Sequence, residues 1–176
     1  MHRLFVAIRP PQPIRQALLS LMGSVANARW QNDEQLHLTL RFIGEVDRHQ
    51  AEDIAAILGS VHHPALEIGL EQVGQFDRKG RIDTLWVGVS PADPLKSLHS
   101  KIDRALVRVG QPPESRNFIP HITIARFGRM PGPIGGFVEM APVPAIAAPV
   151  TEFCLYESEM GHQGSSYSII ARYPLR

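Results

Sequence analysis

Residues 37 to 44 read His37-Leu38-Thr39-Leu40-Arg41-Phe42-Ile43-Gly44, and a second stretch repeats the pattern as His121-Ile122-Thr123-Ile124. An Arg-Phe pair follows each copy, and a glycine stands seven residues after each histidine. The chain has only eight histidines in 176 residues. Chance would therefore place His two positions before two of the four threonines about once in a hundred such sequences. The repeat indicates a shared function for the two stretches.

The alternation of polar and apolar side chains predicts that both copies are β-strands. Successive side chains of a strand point to opposite faces, so His and Thr share one face while Leu or Ile pack into a core. An imidazole gains or loses a proton near neutral pH, and a hydroxyl can donate to an anionic oxygen. Two facing pairs would supply a base, an acid and two donors, which suffices for displacement at a phosphodiester without a metal.

These paired motifs resemble the tandem His-x-Thr-x motifs of the 2H phosphoesterase superfamily, in particular its RNA 2′,3′-cyclic phosphodiesterase branch, also called the 2′-5′ RNA ligase family. The similarity extends over most of the chain and includes residues 3–8, Trp30, 37–44, 118–126, 155–158 and 167–170. It implies an α+β, bilobal fold with two pseudo-symmetric lobes of antiparallel sheet, outer helices and a central cleft. One motif would lie on a central strand of each lobe. We expect residues 1–176 to form one bilobal domain of two pseudo-repeats.

The resemblance implies a catalytic pair of histidines and two phosphate-binding threonines, which are His37, His121, Thr39 and Thr123. It also implies that Arg126 helps to bind the phosphate, because an arginine three residues after the second threonine is typical of the RNA branch. Strict alternation disagrees, since it places Arg41 on the face of its histidine and Arg126 on the opposite face. Either a bulge or a strand end re-aims Arg126, which the resemblance favours, or Arg41 is the phosphate ligand.

The implied activity is hydrolysis of an RNA terminal 2′,3′-cyclic phosphate to a 2′-phosphate end, with weak reverse 2′-5′ ligation and no metal or other cofactor. One neutral histidine would take a proton from the attacking water, and the other, protonated, would give one to the departing ribose oxygen. We expect His121 to be the base and His37 the acid. Two alternatives stay open: a phosphodiesterase for a small cyclic or 2′-5′-linked nucleotide, and a non-catalytic module that binds RNA ends.

The composition limits the partners of the chain. A formal net charge of +1 is too balanced for a protein that holds long duplexes by charge alone, so RNA ends or short oligonucleotides, such as tRNA fragments, are the expected partners. No His-x-His, His-x₃-His or Cys-x₂-Cys spacing predicts a metal site. A single cysteine, Cys154, and the lack of a signal sequence or a long apolar run predict a cytoplasmic protein that does not contact membranes. We also expect a monomer.

Apolar spacing predicts the element order strand, helix, strand, helix, hairpin, helix, strand, followed by two closing strands. Strands are expected at residues 4–8, 36–43, 66–76, 84–89, 150–158 and 165–173. The second motif forms a further strand, which is followed by a loop at 130–149. Three helices are expected. The first runs from Pro11–Pro13 to about Asn27, the second begins after Asp47 as its N-terminal cap, and the third runs from Asp93 or Pro94 to Val109. A short strand is expected at Phe137–Met140, and a turn at residues 160–164. Among the aromatic residues, Tyr167 is the candidate neighbour of the site.

Overall fold

Both motif strands form in the computed structural model of the protein, which describes residues 1–162 and 164–176. The strands of this part of the chain are β1 His2–Ile8, β2 Arg29–Trp30, β3 Leu38–Val46, β4 Leu66–Arg78, β5 Arg81–Ser90, β6 His121–Arg126, β7 Ala147–Val150, β8 Glu152–Gly161 and β9 Gly164–Pro174. The helices are α1 Gln12–Leu21, α2 Arg48–Leu58, α3 Ala92–Arg108 and α4 Gly135–Met140, with a 3₁₀ turn at Asp33–Gln35.

The strands build two antiparallel sheets. The first sheet has the order β3-β1-β8-β9 and the second has the order β2-β6-β5-β4-β7. The lobes are therefore not consecutive halves of the chain, since the last two strands join the first sheet and β2 joins the second. The expected α+β fold with two sheets is confirmed.

The expectation of a central strand for each motif holds for β6 but is wrong for β3. The β6 strand lies between β2 and β5, whereas β3 is the edge strand of the first sheet. β3 also contacts β6 of the second sheet. An edge position brings the first motif close to the second without a hydrogen-bonded ladder between the two sheets, and it leaves room for a cleft.

The central strand β1 shows how the first sheet can serve both the core and a site. Alternate residues Leu4, Val6 and Ile8 are fully buried in a core that includes residues of both sheets and of the helices. Phe5 and Ala7 point to the other face, where they form a second apolar cluster with Cys154 and Tyr156. Burial of each large apolar side chain contributes about 1.5–3 kcal/mol. The second face of the sheet is consequently apolar and aromatic.

The long helices follow the predicted signals, except at the end of α1. Asp47 and Gln50 form a reciprocal capping box at the start of α2, and α3 occupies most of its expected range. The α1 helix ends at Leu21, six residues before the expected end. Gly23 has a φ of 125° and Asn27 a φ of 65°, so the backbone leaves the helical region there. Val25 is buried, but it belongs to the connection.

The prediction of a short strand at Phe137–Met140 is wrong, because this segment belongs to helix α4. The free edge of β4 is already occupied by β7, which leaves no partner for a further strand there. A helical turn satisfies its own backbone groups, as shown by the bonds from Val138 N to Ile134 O and from Ala141 N to Phe137 O. The Phe137 ring packs against Trp30, with centroids 5.7 Å apart.

Two hairpins, β4–β5 and β8–β9, end in tight turns. The β4–β5 hairpin closes at Lys79 and Gly80, whose φ angles are 53° and 75°. The predicted turn at residues 160–164 joins β8 to β9, but Gln163 lies outside the described residues. No helix of the described chain is both long and apolar enough to cross a membrane.

Candidate active site

The two motif histidines are held in the same way at the starts of their strands. His37 Nδ1 lies 2.7 Å from the Gln35 carbonyl oxygen, and His121 Nδ1 lies 2.5 Å from the Ile119 carbonyl oxygen. A carbonyl oxygen can only accept a hydrogen bond, so each Nδ1 carries the proton. The Nε2 atom of each neutral ring therefore keeps its lone pair and is the atom able to exchange a proton.

The segment before His37 is fixed by a network of charged groups. Arg9 donates to the carbonyl oxygens of Asp33 and Leu36, at 2.5 and 3.0 Å, and Arg15 donates to Asp33 Oδ1 at 2.8 Å. Within the same turn, Asn32 and Gln35 form a capping box. The carbonyl that orients His37 thus belongs to a backbone segment with little freedom to move.

Aromatic rings surround both imidazoles. The His37 ring lies 4.9 Å from Phe5 and 4.9 Å, edge-on, from Tyr167, which the sequence suggested as a site neighbour. The His121 ring lies 5.0 Å from Phe76 and 5.6 Å from Trp86. Sequence reasoning did not place Phe5, Phe76 or Trp86 beside particular histidines. Their positions depend on which residues pair across neighbouring strands.

A glycine makes the space for the aromatic wall of His121. Gly74 on β4 pairs with Trp86 on β5, and the indole ring occupies the space that a side chain at Gly74 would need. Any larger residue would push the ring away from His121. The sequence signal for this role is a glycine within a long strand, which often marks the close approach of another group.

The surroundings of the histidines favour their neutral forms. Burial lowers the pKa of His37 to about 4, and the positive charges of Arg126 and His121 act in the same direction. Burial and the charge of Arg126 also lower the pKa of His121. The backbone carbonyl bonded to each ring acts in the opposite direction but does not reverse the shift. Both rings are therefore neutral at pH 7 in the free protein.

The lowered pKa of His37 predicts a loss of stability in acid. Between pH 6.5 and pH 4 the unfolded chain binds a proton at this residue and the folded protein does not, so stability falls as the pH falls. The expected loss is up to about 3 kcal/mol of unfolding free energy. Urea unfolding of wild type and His37→Gln at pH 7 and pH 4.5 measures it, with exposed His49→Gln as the control. Equal acid losses in all three proteins would contradict the prediction.

A β-bulge decides where Arg126 points. Trp86 on β5 pairs with Thr123, and Thr84 pairs with Arg126, so one extra residue, Ile124, lies between them on β6. Trp86 and Thr84 share a face of β5, and Thr123 and Arg126 therefore also share a face. The charge of Arg126 lowers the pKa of both histidines, which is consistent with a position between them. The structure thus contains the bulge that the sequence offered as one explanation.

A similar bulge turns Arg41 the other way. Thr39 pairs with Ala7 and Arg41 pairs with Val6, so Leu40 is the extra residue and Arg41 lies on the face opposite Thr39. The Arg41 side chain is only 6% exposed, and its Nε lies 2.8 Å from Asp103 Oδ1. Its two remaining nitrogens donate to the carbonyl oxygens of Phe42 and Pro112. Each nitrogen of this guanidinium therefore donates to a partner inside the protein, although Arg41 also borders the cavity that touches Thr39 and His121.

Two cavities border the motifs. One of about 550 Å³ touches Thr39 and His121 and has apolar walls that include Phe42, Phe118 and Ile119. The other, of about 530 Å³, contains Arg126 and residues of the β4–β5 hairpin. In residues 1–162 and 164–176, no three His, Cys, Asp or Glu side chains cluster closely enough to hold a metal ion.

Two sheets that bring a pair of His-x-Thr motifs to one cleft define the 2H phosphoesterase fold. The chain belongs to the 2′-5′ RNA ligase superfamily, whose family model matches residues 9–162. It is 34% identical over 142 residues to the RNA 2′,3′-cyclic phosphodiesterase of Aeropyrum pernix, covering 78% of this chain and 81% of the relative. It is 30% identical to the enzyme of the same name from Thermotoga maritima, covering 96% and 92%.

Solved structures agree with this family. LigT of E. coli in its apo form has a TM-score of 0.81 and 27% identity, covering 99% of this chain and 97% of LigT. LigT complexed with 3′-AMP has a TM-score of 0.78 at 27% identity, covering 99% and 98%. The predicted family and fold are confirmed.

Proposed function

We propose that this protein hydrolyses the terminal 2′,3′-cyclic phosphate of RNA to a 2′-phosphate end by a metal-independent, two-histidine mechanism. The named activity of the curated relatives supports the reaction and agrees with the sequence-based expectation. One observation carries the mechanism: backbone carbonyls bind Nδ1 of both His37 and His121, which leaves Nε2 of each ring as the atom able to exchange a proton.

The proposed reaction is an in-line displacement at phosphorus. The base removes a proton from water as the water oxygen bonds to phosphorus, and the bond from phosphorus to the 3′ ribose oxygen breaks. The acid delivers a proton to this leaving oxygen, which becomes a hydroxyl and leaves the phosphate on the 2′ oxygen. Thr39 and Thr123 donate to the non-bridging oxygens, and Arg126 balances the charge that develops on them. The same groups in the reverse direction would join RNA ends through a 2′-5′ bond.

The mechanism requires one neutral and one protonated histidine, and this difference arises only when the substrate is bound. A neutral base is ready in the free protein, because the pKa values of both residues are lowered. The acid must gain a proton, and the negative charge of the bound cyclic phosphate favours this by raising the pKa of a nearby histidine. We retain His121 as the base and His37 as the acid, so His37 depends on the substrate anion for its proton.

The apolar cavity suits the terminal nucleoside. It borders Thr39 and His121, and the ring of Phe42 on its wall is 39% exposed. Unpaired bases are commonly gripped by stacking on aromatic rings, and Phe118, itself stacked on His99 with centroids 4.5 Å apart, offers a second surface. This cavity would hold an RNA end, whereas the balanced overall charge argues against a long duplex.

The broader setting of this enzyme is also part of the proposal. The apolar core includes residues of both sheets, which supports one domain made of two lobes. Cys154 is a free, buried thiol and suits a reducing cytoplasm. We expect a monomer of 19.5 kDa, which size-exclusion chromatography with light scattering would detect.

The test of function is a product assay in the presence of EDTA. Purified protein is incubated with a short RNA that ends in a 2′,3′-cyclic phosphate, and the position of the product phosphate is determined by NMR. Formation of a 2′-phosphate is the expected result. Turnover of mononucleotides alone would favour a small-nucleotide phosphodiesterase. Binding without turnover would favour an RNA-end binding module, and turnover only with added metal would overturn the metal-free mechanism.

A further inference from the structure

Two pairs of arginines stand directly opposite each other across neighbouring strands. Arg29 on β2 pairs with Arg126 on β6, and Arg78 on β4 pairs with Arg81 on β5. Like charges at directly opposed positions destabilise a sheet. In the part of the chain that the structure describes, none of these four arginines forms an ion pair with a carboxylate. A bound anion would remove the repulsion in both pairs.

Three of these arginines line one cavity of about 530 Å³, which we call the hairpin pocket. Its lining is Arg78, Lys79, Arg81, Asp83, Thr84, Arg126 and Phe127. Four cationic side chains thus face a single carboxylate, which already accepts a hydrogen bond from the Thr84 hydroxyl at 2.9 Å. Because the whole chain carries a formal net charge of only +1, this concentration of positive charge is local.

Arg126 is the residue that links the hairpin pocket to the motif strand β6. This residue shares a face of β6 with Thr123 and influences the pKa of both histidines, and it also lines the pocket. From Thr84, its partner on β5, the strand runs three residues, or about 10 Å, to Arg81 at the hairpin turn. A short stretch of single-stranded RNA can span that distance. The cavity at Thr39 and His121 shares no lining residue with the hairpin pocket.

We propose that the hairpin pocket binds phosphodiester groups on the 5′ side of the terminal cyclic phosphate, so that oligonucleotide ends are preferred over mononucleotides. This inference rests on the proposed function. Guanidinium groups bind phosphate oxygens through paired hydrogen bonds, and contacts to the RNA backbone are independent of base sequence. The pocket therefore selects for the presence of an upstream strand and not for its sequence.

The test removes the two hairpin charges with the variant R78Q/R81Q. Its substrates are a tetranucleotide that ends in a 2′,3′-cyclic phosphate and the mononucleotide 2′,3′-cyclic AMP. For the tetranucleotide we expect a KM about tenfold higher at 0.1 M salt, with an unchanged kcat, and a salt dependence of log KM that is shallower by about 0.7 for each lost phosphate contact. The mononucleotide is expected to give the same kinetic constants with both proteins.

The matched control is R104Q/R108Q, which removes the same charge from exposed positions on α3. An equal rise in KM for this control would overturn the proposal in favour of general electrostatic attraction. An unchanged KM for R78Q/R81Q would also overturn it. Loss of the opposed charges is not expected to weaken folding, and urea unfolding checks this.

A failure of the proposed function gives a different result, since wild type would then hydrolyse either the mononucleotide alone or neither substrate. In that case the affinity for a tetranucleotide with a 2′-phosphate end is measured by fluorescence anisotropy for the same three proteins. Weaker binding by R78Q/R81Q alone supports the hairpin pocket, and equal binding by all three overturns it.

Discussion

Alanine at either motif histidine is expected to lower kcat on an RNA 2′,3′-cyclic phosphate by about 10³-fold. A positioned acid or base contributes about 10²- to 10⁴-fold to a proton-transfer step. The backbone carbonyls of Gln35 and Ile119 hold the imidazoles without help from the substrate, so loss of a ring removes a preformed catalyst. KM is expected to change little, because Arg126 and the threonines remain. Single-turnover kinetics of wild type, His37→Ala and His121→Ala would measure the effect.

A substrate with sulfur in place of the 3′ leaving oxygen separates the roles of the two histidines. A thiolate leaves without protonation, so the variant that lacks the acid should recover much of its rate on this substrate and the variant that lacks the base should not. Recovery is expected for His37→Ala. Recovery for His121→Ala alone would reverse the assignment, and activity within tenfold of wild type for both variants on the normal substrate would contradict the two-histidine mechanism.

The control for these variants is His99→Ala. His99 lies beside the apolar cavity, where its Nδ1 is 2.6 Å from the Leu40 carbonyl oxygen and its ring stacks on Phe118. It occupies no His-x-Thr motif. We expect it to alter KM through the packing of the cavity wall while kcat stays within about tenfold of wild type.

The pairing of strands marks the limit of what the sequence could predict. Alternation and apolar spacing are local properties, and they located the motif strands, α2, α3 and the β4–β5 hairpin. The order of strands in a sheet depends on partners far apart in the chain, so the edge position of β3 could not be predicted from the sequence. The same reason explains α4, where the apolar run at 137–140 suits a strand but β7 already occupies the available edge.

Strand pairing also limits what the sequence could predict about the site. The repeat singled out His37, His121 and their threonines, because the chemistry needs these residue types at a fixed spacing. The bulges at Leu40 and Ile124 cannot be seen in a single strand, since a bulge is defined only against its partner. They decide which arginine faces the threonines. The opposed arginines of the hairpin pocket are likewise visible only once the register is known.

Arg126→Gln is expected to lower kcat by about 10²-fold with little effect on stability. Removal of one preorganised group that stabilises developing negative charge costs about 10²- to 10³-fold in rate. Arg126 is exposed and has no ion pair among the described residues, so its loss leaves no buried partner unsatisfied. Because its charge lowers the pKa of both histidines, the variant should also show higher histidine pKa values in an NMR titration.

Arg41→Gln is the matched comparison, and the opposite pattern is expected. This guanidinium joins β3 to Asp103 on α3 and to the Pro112 carbonyl, and Asp103 Oδ1 also accepts the backbone N–H of Glu114. Arg41 is buried and Asp103 is partly buried, so loss of the arginine is expected to cost up to about 3 kcal/mol. Urea unfolding should therefore show a large loss for Arg41→Gln, and kcat under conditions where it remains folded should fall by less than about tenfold. A rate loss near 10²-fold in folded Arg41→Gln, with Arg126→Gln nearly unchanged, would make Arg41 the phosphate ligand and would overturn our assignment.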